Sequence, residues 1–201
     1  MLMTIKKIKL YLFIIIFLLF LSKLNAKDFQ KLEIGNIEAK VVIKIFSSLT
    51  CPHCADLHKK IFKNLDNEFI QTNLVRFQHH GFPLDLAALN AEKLLICIDG
   101  VRNRLNFLDE IYEKQNAWAS GNDINSINLK LSKIAKNYGL NDDKIATCFE
   151  NENLEDKILE DRIKSSKEYS IQSTPTIFIN EKKYDGDHNY KEIRKAIKKL
   201  L

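Results

Sequence analysis

The residues in this 201-residue sequence best suited to do chemistry are Cys51-Pro52-His53-Cys54. Two thiols with a two-residue spacer can bond in a tight loop, and a thiol reacts as its thiolate. A helix N-terminus favours that anion through its unpaired N–H groups and its macrodipole. His53 adds a partial or full positive charge beside the thiolate. Cys51 is therefore expected at the exposed mouth of a helix, with a pKa well below the ~8.5 of free cysteine and within roughly 3.5–7.5. Cys54, one turn on, is expected to be more shielded. A stabilised thiolate stabilises the dithiol and makes the disulfide the stronger oxidant. Cys51, Cys54 and His53 are the candidate catalytic residues.

Two more cysteines, Cys97 and Cys148, stand far apart in the chain. Four cysteines allow three pairings. The short spacer makes Cys51–Cys54 the first pair, which leaves Cys97 with Cys148. That second pair reads as a structural disulfide between two helices; the alternative is a second redox pair that tunes the first. A zinc site is the rival use of the C-x-x-C motif, but it needs four ligands. No second C-x-x-C or H-x₃₋₅-H exists apart from His53 and His58. His79 and His80 are adjacent, and neighbours on an extended segment face opposite ways. No metal or organic cofactor is called for. His58, four residues after Cys54, reads as a partly buried helix residue and not a base. His188 reads as a loop residue and Trp118 as core.

The elements that must position the motif follow from periodicity. Lys40 to Phe46 is β-branched and aromatic, a buried strand. A helix starts at Thr50 or Cys51, with Pro52 in its first turn, where a missing N–H costs nothing. Cys54, Leu57, His58, Ile61, Phe62, Leu65 and Phe69 form its apolar stripe. Leu74 to Phe77 reads as a second strand, followed by a loop from His79 to Pro83. From Leu84 to about Tyr169 the pattern is helical. One helix carries Cys97, a second runs from Leu105 to Trp118, and a third is stopped by Gly139. Asn141 then caps a short helix holding Cys148, and a further helix contains Leu154 to Ile163. Thr174 to Asn180 is a strand with Pro175 near its start. Glu181-Lys182-Lys183 is a turn, Tyr184 begins a short return strand, and Tyr190 to Leu201 is an amphipathic helix that packs on the body and not on a membrane. Strand, helix, strand, helical block, strand, strand, helix describes one α/β domain.

Composition narrows the function classes. The chain is 45% apolar and 28% charged, values of an ordinary globular protein. It has no fixed-period repeat, which argues against a solenoid. Its net charge of +5 sits largely in residues 1–26, which carry Lys6, Lys7, Lys9 and Lys23 and no acid. Without those four lysines, 27 basic residues face 26 acidic ones, so the body has no general pull toward nucleic acid. The leader reads as a signal peptide with a twelve-residue apolar run, Leu10 to Leu21, and cleavage after Ala26. The run rises about 18 Å as a helix against a ~30 Å hydrocarbon core; an uncleaved N-terminal anchor is the alternative. Export to an oxidising compartment, the periplasm, is expected, and there cysteines form disulfides.

Cys51-Pro52-His53-Cys54 after a hydrophobic strand, Phe82-Pro83-Leu84-Asp85 after the second and Thr174-Pro175-Thr176 before the third resemble the DsbA-like thiol oxidoreductases, over about Glu38 to Leu201. The resemblance implies a thioredoxin fold over residues 27–201, with a helical insertion at about 84–169 between its βαβ and ββα halves. It implies a cis Thr174–Pro175 bond packed on the active cysteines, with Ser173, Thr174 and Pro175 binding an extended substrate through the backbone. It also implies disulfide formation in exported client proteins, reoxidation by a quinone-linked membrane partner of the DsbB type, and a monomer. Three positions depart from the pattern. Ile45 stands where many relatives carry a buried acid, and its neighbour Lys44 should face the other way. Thr174 stands where the best-known oxidases have an aliphatic residue, which resembles isomerase and reductase relatives. The Cys97/Cys148 pair occurs only in some relatives. An isomerase or reductase on the same fold, and a non-catalytic peptide-binding chaperone, are the competing readings.

Overall fold

The computed structural model describes residues 31–201, so the leader reading lies outside the described residues. Strand β2 (Val41–Ser47) is the axis of the fold. Its side chains are buried or half-buried throughout, as expected of a strand flanked on both edges. It runs parallel to β3 (Val75–Gly81) and antiparallel to β4 (Thr176–Ile179). A two-residue β1 (Glu33–Ile34) and β5 (Lys182–Lys183) complete a five-stranded sheet in the order β1-β3-β2-β4-β5.

Helix α1 (Pro52–Leu65) follows β2 and buries Cys54, Ala55, Leu57, Ile61, Phe62 and Leu65, the expected stripe. A π turn over Asp66–Ile70 continues it and buries Phe69 and Ile70. The helical block between β3 and β4 comprises α2 (Leu86–Cys97), α3 (Val101–Glu113), α4 (Gln115–Trp118), α5 (Ile124–Lys136), α6 (Asp142–Glu150) and α7 (Glu152–Glu168). Helix α8 (Tyr190–Lys198) closes the chain. Asp85, Asp123, Asn141, Asn151 and Asn189 cap five of these helices by accepting backbone N–H bonds.

One apolar core joins the inner sheet residues Val41, Ile43, Ile45 and Phe77 to α1, to the helical block and to Ile193 and Ile197 of α8. A smaller cluster of Phe46, Phe82, Ile171 and Phe178 covers the opposite sheet face. Among the described residues, no helix is long and apolar enough to cross a membrane.

Four boundaries differ from the sequence expectation. β3 extends to Gly81, so His79 and His80 belong to the strand and not to a loop. The ladder with β2 continues to Ser47 opposite Gly81, and those hydrogen bonds outweigh the weak strand propensity of two histidines. β4 starts at Thr176 because Pro175 has no N–H to give to a ladder. Asn180, at φ +55°, reverses the chain early, so the return strand is Lys182–Lys183 and Tyr184 follows it. Lys114 interrupts the helix expected from Leu105 to Trp118 and leaves Trp118 on the separate turn α4.

Candidate active site

The β2–α1 junction holds the motif. Cys51 is the N-cap of α1, with extended backbone angles and Pro52 directly after it. Its carbonyl accepts the first helical bonds, from Cys54 N at 3.0 Å and Ala55 N at 3.2 Å. The first turn carries no acid, so nothing there opposes an anion at the helix mouth. Both cysteines are free thiols in this structure.

Cys51 was expected to be exposed; it is only 8% exposed. The loop carrying Thr174 lies over it, and the Cys51 thiol is 3.4 Å from the Thr174 carbonyl oxygen. The Thr174–Pro175 bond is cis, as the resemblance implied. Ser173 is exposed, while Thr174 and Pro175 are half-buried. His53 stands on the solvent side of the first turn.

Cys54 is more shielded, at 2% exposure. Burial pushes its thiol up to about 12, reinforced by the neighbouring Cys51 thiol and opposed by the Ser48 backbone and the Thr174 side chain. The two sulfurs thus occupy different surroundings one helical turn apart.

Several supporting residues carry no sequence signal. Gln115 is buried, and its Nε2 donates to the carbonyls of Leu49 at 2.8 Å and Cys51 at 3.1 Å. It fastens the cysteine loop to the helical block. The Thr50 hydroxyl donates to Asp85 at 2.8 Å, and Asp85 also caps α2. The backbone N–H of Phe82 donates to the Ser47 carbonyl at 2.8 Å. The exposed side chains of Leu84, in the same loop, and Leu86, at the start of α2, follow. Behind Cys54, the Tyr112 hydroxyl, Ser47, His79 and Glu92 form a buried hydrogen-bonded chain. Phe82, Leu84 and Asp85 stand in the motif that carried the resemblance; the partners of the others lie 13 to 66 residues away in sequence, beyond a local pattern.

The remaining expected positions fall as follows. Ile45 is buried in the core, and Lys44 points to the opposite face, where it bonds the Tyr169 hydroxyl and Glu181. His58 is half-buried against Phe62 and bonded to Asp109 at 2.6 Å. Cys97 and Cys148 form a disulfide between the C-terminus of α2 and α6. Among the described residues, no group of three or more His, Cys, Asp or Glu is placed to hold a metal ion.

The thioredoxin family model matches residues 27–199. This chain belongs to the thioredoxin family. Within it, an alpha-DsbA1 structure from Wolbachia pipientis superposes with a TM-score of 0.77 at 26% identity, covering 85% of this chain and 90% of that one. The likeness to DsbA proteins read from the sequence therefore holds for the thioredoxin fold as a whole. Disulfide bond formation protein D of Bacillus subtilis is 26% identical over 177 residues, 84% of this chain and 76% of that protein. A Rickettsia bellii protein provisionally named a protein-disulfide oxidoreductase is 26% identical over 153 residues. The match takes in 76% of this chain and 58% of the length of that relative.

Proposed function

We propose that this thioredoxin-family protein is a thiol-disulfide oxidoreductase that forms disulfides in exported client proteins, acting over residues 27–201 as a monomer in the periplasm. One observation carries the reading: Cys51 caps the N-terminus of α1 under the Thr174 carbonyl, while Cys54 behind it is sealed from solvent. The names of its relatives support the same chemistry.

In the oxidised protein a client thiolate attacks Cys51 Sγ, forming a mixed disulfide and breaking the Cys51–Cys54 bond. The electron pair goes to Cys54 Sγ, which takes up a proton because burial disfavours its anion. A second client thiolate attacks the client sulfur and expels Cys51 as thiolate. The client loses two electrons and the protein gains them. The backbone of Ser173, Thr174 and Pro175 holds the client as an extended segment, and His53 supplies positive charge near the leaving sulfur. A membrane partner of the DsbB type, passing the two electrons to a quinone, regenerates the disulfide. The protein needs no cofactor of its own.

A reductase or isomerase on the same site is the second reading, favoured by Thr174 before the cis proline. The deciding measurements are the rate at which the oxidised protein converts a dithiol peptide to its disulfide, and the potential of the Cys51/Cys54 couple. A potential near about −120 mV supports the oxidase and one near about −270 mV the reductase. Turnover no faster than the uncatalysed reaction, with peptide binding kept in Cys51→Ser, would leave only a chaperone.

A further inference from the structure

Exchange at Cys51 and Cys54, on which this inference rests, leaves a proton to be placed. Cys54 must gain one when it is expelled and lose one when it attacks, yet its sulfur is sealed from bulk water. It lines a cavity of about 10 Å³, the scale of one water molecule. The other polar side chains in that wall are Ser47, His58, His79 and Tyr112, and no carboxylate lines it.

Of these, His79 has hydrogen-bonded connections on both sides. One ring nitrogen, Nδ1, is 3.3 Å from Ser47 Oγ, and the other, Nε2, is 3.1 Å from a Glu92 carboxylate oxygen. Ser47 Oγ also accepts from the Tyr112 hydroxyl at 3.0 Å. A hydroxyl that already accepts one bond can donate to a neutral imidazole or accept from an imidazolium by turning its own hydrogen. Ser47 therefore fits both protonation states of His79. His79 and Glu92 are 3% and 6% exposed. A buried pair of this kind seldom improves on apolar packing for stability.

His79 and Glu92 also line a second cavity, of about 20 Å³, with Lys31, Arg104, Asp161 and Ser165. Gly81 gives the carboxylate its place: a Cβ there would lie 2.5 Å from the Glu92 carboxyl carbon. His58 is arranged differently. Its ring stacks on Phe62, and its Nε2 is spent on the exposed carboxylate of Asp109.

We propose that His79, held by Glu92, relays the proton of Cys54 across the Ser47 hydroxyl and the small cavity. When a client thiolate breaks the Cys51–Cys54 bond, the electron pair goes to Cys54 Sγ. A proton then passes from His79 Nδ1 through Ser47 to that sulfur, and the imidazole regains one from solvent on the Glu92 side. In the return direction Cys54 gives its proton to His79 by the same path. Its sulfur then attacks Cys51 in a mixed disulfide, and the electron pair leaves on the departing thiol. The titratable and charged groups around His79 are Cys54 and His58 from α1, His80 from β3, Glu92 from α2, Arg104 and Tyr112 from α3, Asp161 from α7, and Lys31.

The test uses the reduced full-length protein and a disulfide of two chromophoric aromatic thiols. The first equivalent released reports attack by Cys51, and the second reports closure by Cys54. In His79→Gln, whose amide cannot carry a proton, the second phase is expected to slow by about 10²-fold at neutral pH. The deficit should shrink by about tenfold per pH unit as hydroxide takes over, while the first phase stays unchanged. Gly81→Ala, which displaces the Glu92 carboxylate, should show the same pattern, whereas His58→Gln should not. A second phase within twofold of the parent at every pH in His79→Gln, or an equal loss in His58→Gln, overturns the relay. Should His79→Gln not fold, an unaltered second phase in Gly81→Ala does so. Absence of the first phase in the parent would sink the exchange reading and the relay with it, so the two failures are told apart.

Discussion

Cys54 keeps its proton because its sulfur lies in the core, and that preference reaches beyond the reaction to the stability of the dithiol form. A thiol with an ordinary value of 9.0 is pushed up to about 12, first by burial. Below pH 9 both folded and unfolded chains hold the proton, and the contribution is fully present. Above it the unfolded chain releases the proton while the folded one keeps it, so stability falls as pH rises toward 12. The expected slope is roughly 1 kcal/mol per pH unit. Urea midpoints of the reduced protein between about pH 9 and 10 read this slope together with that of Tyr112 and Tyr138, which burial also holds in the protonated form. Cys54→Ala should remove the Cys54 share and leave that of the tyrosines; an unchanged slope would assign the whole loss to other groups. At the same scale, the motif and the Thr174–Pro175 pair are legible from their types and order alone. That Thr174 covers Cys51 is legible only through the family resemblance, because its carbonyl arrives from 123 residues away.

Strands and helices were legible where periodicity is local and obscure where pairing is not. The stripe of α1 and the cap at Asn141 follow from neighbouring residues, whereas the helix expected to stop at Gly139 ends on Asn137, with Gly139 turning the chain just beyond it. The two-residue β1 has too little pattern to signal a strand, and exists because β3 offers it an edge. His79 and His80 looked like loop residues since only the β2 partner makes them a strand. That mistake hid the relay, because strand geometry is what turns His79 inward to Ser47 and Glu92. The Cys97–Cys148 disulfide acts at this scale too, tying α2 to α6 across a sequence separation of 51. In the chain-entropy account a closed loop of that length stabilises by roughly 4 kcal/mol. A Cys97→Ser/Cys148→Ser protein should lose about that much in urea melts while oxidising a dithiol peptide within about twofold of the parent rate. A folded double variant without turnover would mean that the pair takes part in the exchange.

One apolar core runs from the sheet into the inserted helices. Ile45, Phe77 and Leu57 share one apolar cluster with Leu105, Phe107, Ile111, Trp118 and Leu131. Gln115 and Tyr112 add buried hydrogen bonds from the block to Leu49, Cys51 and Ser47. Helices that complete the core of the sheet cannot leave without exposing it, so the body should unfold as a single cooperative unit. The single tryptophan makes this measurable. Trp118 is buried in the block, and its indole N–H donates to the Ile111 carbonyl at 2.8 Å. Its fluorescence therefore follows the block, while far-ultraviolet dichroism follows the whole body. The two denaturation curves of the oxidised protein should coincide, with one midpoint and one slope. An earlier tryptophan transition would make the block a separate unit. Closure of Cys54 would then depend on how often that unit opens, because Tyr112, Glu92 and Gln115 all come from it.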